Sequence, residues 1–322
     1  MRLEYQILVA VALDLVIGDP RWFPHPVKLI GRLALLLEEP FRRLFTNQYL
    51  SGAVAAVSII SITAAGSYAV IWLAATVHPA AGDAVSILLI YTGIAARDMI
   101  RHSTEVWRAL RAGDIEQARV RVGMICGRDT DRLEEPGIVG ATVESVAENL
   151  VDGVTAPLFF AFIGGPVGVM AYKAVSTLDS SFGYKNERYR DFGWASARLD
   201  DIAAFVPSRL TAILVPVAAL VAGQRSWNSL KIFLRDRSKH PSPNAGQSEA
   251  AFAGALGVQL GGLSYYDGRP SNKPKLGDPL SDLSPGKIRD ANTLMAASSL
   301  CVLAVLLGLD ALLVHVWFCG SG

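Results

Sequence analysis

Residues 50–77, LSGAVAAVSIISITAAGSYAVIWLAATV, run for 28 positions without one charged side chain. At 1.5 Å per residue, a helix of this length exceeds the ~30 Å hydrocarbon core of a bilayer. A helix that is apolar all round belongs in a deep core or a membrane, and this length selects the membrane. Residues 291–319 repeat the signal despite Asp310, and 3–17, 84–96, 154–172 and 202–223 are shorter candidates. Apolar residues form 51% of the chain. Their bunching into these runs argues against two soluble domains of ordinary size. Glu4 and Asp14 interrupt the first run and no small-residue cleavage site follows, so it reads as a retained helix rather than a signal peptide. The expected fold is all-α: one polytopic helical membrane domain over 1–322, with polar segments at 18–49, 97–153, 173–201 and 224–290 forming its active face.

The polar segments have their own grammar. "HPAAGD" alone separates 50–77 from 84–96, which suits a tight helical hairpin. Apolar positions recur at helical spacing in MIRHSTEVWRALRAGDIEQARVRVGMI. Gly164-Gly165-Pro166 interrupts 154–172, and Pro207, Arg209 and Pro216 lie inside 202–223, so both runs are expected to be broken or re-entrant. All four polar segments carry Lys and Arg in numbers, which places them together on the cytoplasmic face if 154–172 and 202–223 do not both cross fully. Thirty basic against 29 acidic residues leave no net charge to drive nucleic-acid binding. Cys126, Cys301 and Cys319 lack ligand spacing, so neither a disulfide framework nor structural zinc is expected.

Two constellations could carry chemistry. In VESVAENLVDG, Glu144, Glu148 and Asp152 fall at steps of four, with Ser145 and Asn149 on the same arc and Val143, Val146, Ala147 and Leu150 opposite. Such a stripe is a solvated helix face, or it surrounds a cation such as Mg²⁺ or supplies a base, because no Lys or Arg in the stretch offsets the repulsion. In 174–201, Asp179, Ser180, Ser181, Lys185, Asn186, Arg188 and Arg190 surround Gly183, with Tyr184, Tyr189, Phe192 and Trp194 nearby. This is a charged connector or a phosphate cradle. Arg97 and Arg101 end an apolar run, where snorkelling alone accounts for Arg97. Ser242 and Asn244 are candidate helix caps. Asp19, Arg21 and His25 share a stiff, Pro-punctuated strip in which a lone His is more often structural. There is no G-x-x-x-x-G-K-[ST], G-x-S-x-G or G-x-G-x-x-G, so neither a Walker loop, a hydrolase elbow nor a dinucleotide fingerprint is supported.

LDLVIGDPRWFPHPVKLIG (13–31), AARDMIRHS (95–103), GRDT (127–130), ESVAENLVDGVTAPLFF (144–160), LDSSFGYKNERYRDFGWASARLDD (178–201), HPSPNAG (240–246) and LGDP (276–279) together resemble the adenosylcobinamide-phosphate synthase family of cobalamin biosynthesis. The resemblance covers nearly the whole chain. It departs at Gln247-Ser248, where the family carries an aromatic residue and a proline. The resemblance implies an ATP-dependent ligase that joins a carboxylate of adenosylcobyric acid to an aminoalcohol phosphate, such as (R)-1-amino-2-propanol O-2-phosphate. It implies ATP and Mg²⁺, no tightly bound cofactor, a multi-pass place in the cell membrane and possible neighbours among late cobalamin-synthesis enzymes. Under it, Glu144, Glu148, Asp152, Asp179 and Lys185 are the expected catalytic residues, the first three as Mg²⁺ ligands. Asp19, Arg21, His25, Arg97, Arg101, Asn149, Ser180, Tyr184, Asn186, Arg188 and Asn244 are expected to bind substrate or phosphate. The competing class is a corrinoid or other solute transporter built on broken helices.

Overall fold

A computed structural model describes residues 1–20, 25–184, 186–266 and 268–320, with side chains described as far as Leu312. Its helices are α1 (Leu3–Ile17), α2 (Pro26–Leu44), α3 (Gln48–Val77), α4 (Pro79–Gly93), α5 (Ala96–Arg111), α6 (Ile115–Val122), α7 (Glu135–Leu150), α8 (Ala156–Phe182), α9 (Trp194–Ala203), α10 (Phe205–Val221), α11 (Ser226–Asp236), α12 (Ala245–Leu256) and α13 (Gly286–Gly320). Gln48–Val77, Pro79–Arg111, Glu135–Phe182 and Gly286–Leu312 are each long and apolar enough to cross a membrane, and Trp194–Val221 adds a fifth if counted as one bent span. The expectation of a polytopic helical membrane protein holds. One departure from the all-α expectation is a two-stranded antiparallel hairpin, β1 (Leu260–Tyr266) with β2 (Arg269–Leu276), inside the polar segment 224–290. The chain divides into two compact units, Met1–Ala95 with Ala156–Ala204, and Ala96–Thr155 with Phe205–Gly322.

In the first unit, α3 and α4 form the expected tight hairpin. His78 is both the last cap of α3 and the first cap of α4, its Nδ1 accepting the Ala80 N–H at 3.1 Å, and Pro79 opens α4, where its missing donor costs nothing. The inner face of α3 is small, with Ser51, Gly52, Ala55, Ala56 and Ile59 buried against Ile30, Ala34, Leu178, Phe182 and Phe192. Its outer face shows Val57, Ile62, Tyr68, Val70, Trp72 and Leu73, the surface that a lipid solvent requires.

In the second unit, α12 is the core. Every residue from Gly246 to Leu256 is buried, which explains the Gly and Ala richness of this segment as close packing. Ser229 of α11 donates to the Ala251 carbonyl at 2.8 Å, and Asn228 to the Gly254 carbonyl at 2.7 Å. Ser242 Oγ accepts the Ala245 N–H at 3.1 Å as expected of a cap, whereas the Asn244 side chain caps nothing and turns to α10.

The expected interruption of 154–172 lies at Gly165, with φ 59° and ψ −152°. That conformation is open to glycine alone, and Pro166 further bars the helical region to the residue before it. Two half-helices result on either side. Gly165→Ala is predicted to cost about 1–3 kcal/mol of stability. Gly164→Ala, at a position with helical φ and nothing within 4 Å of the added methyl, is predicted to be neutral. Melting of both variants in detergent micelles checks this.

Candidate active site

The second unit gathers a set of opposed charges around Glu144. α7 carries Glu144 into the interior, where its side chain is 5% exposed. Arg128, 10% exposed and on the loop after α6, bonds Glu144 Oε2, and the Gly261 N–H donates to Oε1 at 2.8 Å. Burial alone would weaken the Arg128 cation. The Glu144 charge and hydrogen bond outweigh it and hold the guanidinium above its ordinary value.

The hairpin brings Lys273 to the same place, with its Nζ 5.9 Å from the Tyr266 ring centre. Burial would lower this ammonium, but Glu249, Tyr266 and Glu144 more than compensate and it stays charged. Glu249, on the buried helix α12, goes the other way. Burial, reinforced by the Glu144 and Glu148 charges, pushes its carboxyl well above the usual range against the pull of Lys273 and Arg128. His240 Nε2 lies 3.8 Å from Glu249 Oε1, beyond a hydrogen bond, and has no hydrogen-bond partner among the described residues. Its Nδ1 accepts the Ser242 N–H at 3.0 Å, so the neutral ring carries its proton on Nε2, toward Glu249. Burial and then the Lys273 charge push His240 below its ordinary value, and burial raises the Cys126 thiol beside Arg128.

The hairpin is held at three points by carboxylates that accept glycine amides. Glu144 takes Gly261 where β1 begins, Asp236 takes Gly277 just past β2, and Asp129 takes Gly268 at the tip, each at 2.8 Å. At Gly261 and Gly277, φ is +87° and +85°, and an added Cβ would meet the Pro274 and Val258 carbonyl oxygens at 2.4 and 2.3 Å, so only glycine fits. Asp236 is fully buried. Burial would raise it, but bonds from Arg235, Lys239 and the Gly277 N–H hold it far below the usual carboxylate range.

The expected site residues therefore divide. Glu144 and Glu148 belong to this cluster, Glu144 inside and Glu148 exposed on α7. Asn149 is turned back on its own helix, donating to the Ser145 carbonyl at 2.9 Å. Asp152 lies in the π-helical turn Val151–Thr155, whose wider winding breaks the four-residue stripe. The reading of Glu144, Glu148 and Asp152 as a Mg²⁺-ligating triad finds no support. Both oxygens of Glu144 are taken, and no group of three His, Cys, Asp or Glu among the described residues could hold a metal ion. Asn244 Oδ1 accepts from Ser208 and Arg209, both at 3.2 Å. Arg97 and Arg101 are exposed on α5, Arg101 paired with Asp98 at 2.5 Å.

Asp179, Ser180, Tyr184, Asn186 and Arg188 belong to the first unit, as do Asp19 and His25. Arg21 and Lys185 lie outside the described residues. Arg188, expected to hold phosphate, spends Nε and Nη2 on the buried Glu38 at 3.1 and 3.0 Å, and Arg42 bonds the same oxygen at 2.9 Å. Asn186 caps a turn through the Tyr189 N–H at 3.0 Å, and Ser180 and Tyr184 are exposed. His25 Nδ1 accepts the Val27 N–H at 3.3 Å and its Nε2 lies 3.5 Å from Asp19, so this pair starts α2, a structural use of the ring. Arg128, His240, Glu249 and Lys273 were not among the expected residues, although Arg128 and His240 fall within GRDT and HPSPNAG.

These features define a class: a multi-pass helical membrane protein with a buried cluster of opposed charges beside its spanning helices. Residues 7–295 match the family model described as CobD/Cbib protein, and the chain belongs to that family. It is 49% identical over 300 residues to the cobalamin biosynthesis protein CobD of Geobacter metallireducens, covering 93% of this chain and 94% of that one. It is 47% identical to the CobD of Pelobacter propionicus, covering 96% and 97%. Against the cobalamin biosynthesis protein CbiB of Salmonella typhimurium it is 43% identical, covering 93% and 95%. No solved structure matches the chain. Family membership gives the chain a role in cobalamin biosynthesis.

Removing one partner of a buried ion pair strands the other. Arg128→Met is predicted to destabilise the second unit by roughly 3–5 kcal/mol, and Arg128→Met with Glu144→Gln to recover part of the loss. A double-mutant cycle of melting temperatures reads the coupling.

Proposed function

We propose that the protein joins a corrinoid carboxylic acid to the amine of an aminoalcohol phosphate, with ATP consumed to activate the acid. The observation that carries this reading is the meeting of two cations, Arg128 and Lys273, with a raised carboxyl, Glu249, and a neutral imidazole, His240. A carboxylate is a poor electrophile and an ammonium is no nucleophile. The reaction needs anion binding for a phosphorylated acid and a proton acceptor for the amine, and this cluster holds both kinds of group.

In the first step the corrinoid carboxylate attacks the terminal phosphorus of ATP, forming an acyl phosphate and releasing ADP. Lys273 faces the developing phosphate charge, and Arg128, already neutralised by Glu144, fixes the cluster. In the second step Glu249 takes one proton from the ammonium, and the free amine attacks the acyl carbon. The carbon–oxygen bond to phosphate breaks, and the phosphate leaves with the bonding pair and the second nitrogen proton. Glu249 then returns its proton to water. A carboxyl raised above the ordinary range is the better acceptor for this work, provided that the working pH lies above its raised value. The His240 Nε2–H faces, from 3.8 Å, the Glu249 carboxylate that proton loss to water restores.

Mg²⁺ fits only as the partner of the nucleotide. It would be held by phosphates and one or two carboxylates, with Glu148 the exposed one nearest in charge, and would supply neutralisation of the phosphates. The site faces the cytoplasm in this reading, because ATP is there, and the membrane is the cell membrane.

Purified protein in nanodiscs, given corrinoid acid, aminoalcohol phosphate and ATP-Mg, is expected to yield the amide by mass and ADP in equal amount. Lys273→Gln is expected to lower kcat/KM by roughly 10–100-fold, the loss of a charged hydrogen bond of about 1.5–3 kcal/mol. Amide formation is expected to fall as pH drops through the raised value of Glu249, because protonation removes the acceptor, and this acid limb is expected to disappear in Glu249→Gln. Absence of amide from wild-type protein at every pH sinks the proposal.

A further inference from the structure

α11 is apolar on two sides. Ser229, Ile232, Phe233 and Asp236 face inward, toward α12. Trp227 and Leu234 are exposed on the outer side, Trp227 to 78%, with the half-buried Leu230 between them at helical spacing. A tryptophan so exposed on a two-faced helix is foreign to a water-facing surface.

The outer stripe continues a lipid-facing one. α10 ends with Val217, Leu220 and Val221 all exposed, and the chain turns at Gly223 directly into α11. Trp227, Leu230, Lys231, Leu234 and Arg235 line a shallow groove of about 430 Å³. Charge here is one-sided: between Gln224 and Lys239 stand Arg225, Lys231, Arg235, Arg237 and Lys239 against Asp236 alone. Asp236 is already bonded by Arg235 and Lys239, and Arg235 also pairs with Asp278 at 2.9 Å, which leaves Lys231 as the groove's cation without a carboxylate partner among the described residues. Tryptophan and leucine on one stripe with lysine and arginine along its edge is the composition of a helix lying in a membrane surface.

We propose that α11 lies in the plane of the membrane interface and that its groove seats an anionic phospholipid, with the headgroup phosphate on Lys231 and the upper acyl chain against Trp227 and Leu234. A headgroup of net negative charge rather than a zwitterionic one, whose phosphate is already offset by its own cation, is favoured by the local excess of cations. This surface is separate from the charged cluster around Glu144, and its test does not depend on catalysis.

The full chain is placed in nanodiscs of phosphatidylcholine, with and without phosphatidylglycerol, carrying bromine either near the headgroup end or near the methyl end of the acyl chains. The emission of Trp227 is taken as wild type minus Trp227→Phe. It is expected to be quenched at least twofold more by the shallow bromines than by the deep ones. Native mass spectrometry is expected to show phosphatidylglycerol retained over phosphatidylcholine, with that preference cut at least fivefold in Lys231→Glu. The melting curve of Lys231→Glu, an exposed position, reports that the fold is intact. Trp227 emission insensitive to bromine at either depth, or quenched more from the deep position, overturns the interfacial placement. Equal retention of the two lipids, or a preference that survives Lys231→Glu, overturns the anionic seat. A Trp227→Cys variant that crosslinks to a second copy in the nanodisc does the same, because protein rather than lipid then covers the stripe.

Discussion

An ionised carboxylate inside a protein needs every oxygen answered, and Glu144 is answered twice over. Arg128 takes one oxygen and the Gly261 amide the other. Without Arg128 the glutamate would be an unpaired charge in a low-dielectric interior. Without Gly261 the first strand of the hairpin would lose its anchor. Because the hairpin carries Lys273, the pairing of Glu144 also sets where that cation stands. Glu249 and His240 complete the group from α12 and the segment before it. Their unusual protonation follows from the same source: burial, modulated by charges that Glu144, Glu148 and Lys273 impose.

Much of this architecture was legible in the sequence. The 28-residue run became α3, and the six-residue link became a turn with a single residue, His78, shared between two helices. The glycine and proline at 165 and 166 broke their helix as backbone sterics require. These features are local, set by composition and by φ/ψ limits within a few residues. The hairpin was less visible because its first strand carries two glycines near its start, its second carries Pro270 and Pro274, and neither bears an alternating apolar face. What closes it is a set of long-range bonds from carboxylates on other elements, which no local pattern encodes.

The site was legible in part for the same reason. A stripe of acids with no basic residue at helical distance suggested a cation, and a cation is there. For Glu144 it is Arg128, 16 positions earlier and outside any helical register. Glu249 was passed over because a single acid in a Gly and Ala segment has no pattern around it, and its chemistry comes from burial and from charges on other elements. Arg188 shows the converse error. It sits in a loop with a phosphate-binding composition, yet Glu38, 150 positions away, claims its guanidinium. Composition identified groups that need partners, and only the fold identified the partners.

The proposed reaction requires water to be kept from an acyl phosphate while a large acid and a small amine are admitted. The hairpin suits this because it is fixed by amide-to-carboxylate bonds rather than by apolar packing. Such bonds place Lys273 firmly while leaving the strand faces open, and β1 and β2 bury few side chains beyond Leu260, Ser264 and Leu276. The Glu144, Asp236 and Asp129 anchors also differ in character. The first two are buried and held by arginine, while the third, at the tip, is joined to an exposed glycine amide. The base of the hairpin is therefore the rigid part and its tip the part in contact with solvent. A charge delivered by such an element is fixed relative to the buried cluster without the element having to belong to the core.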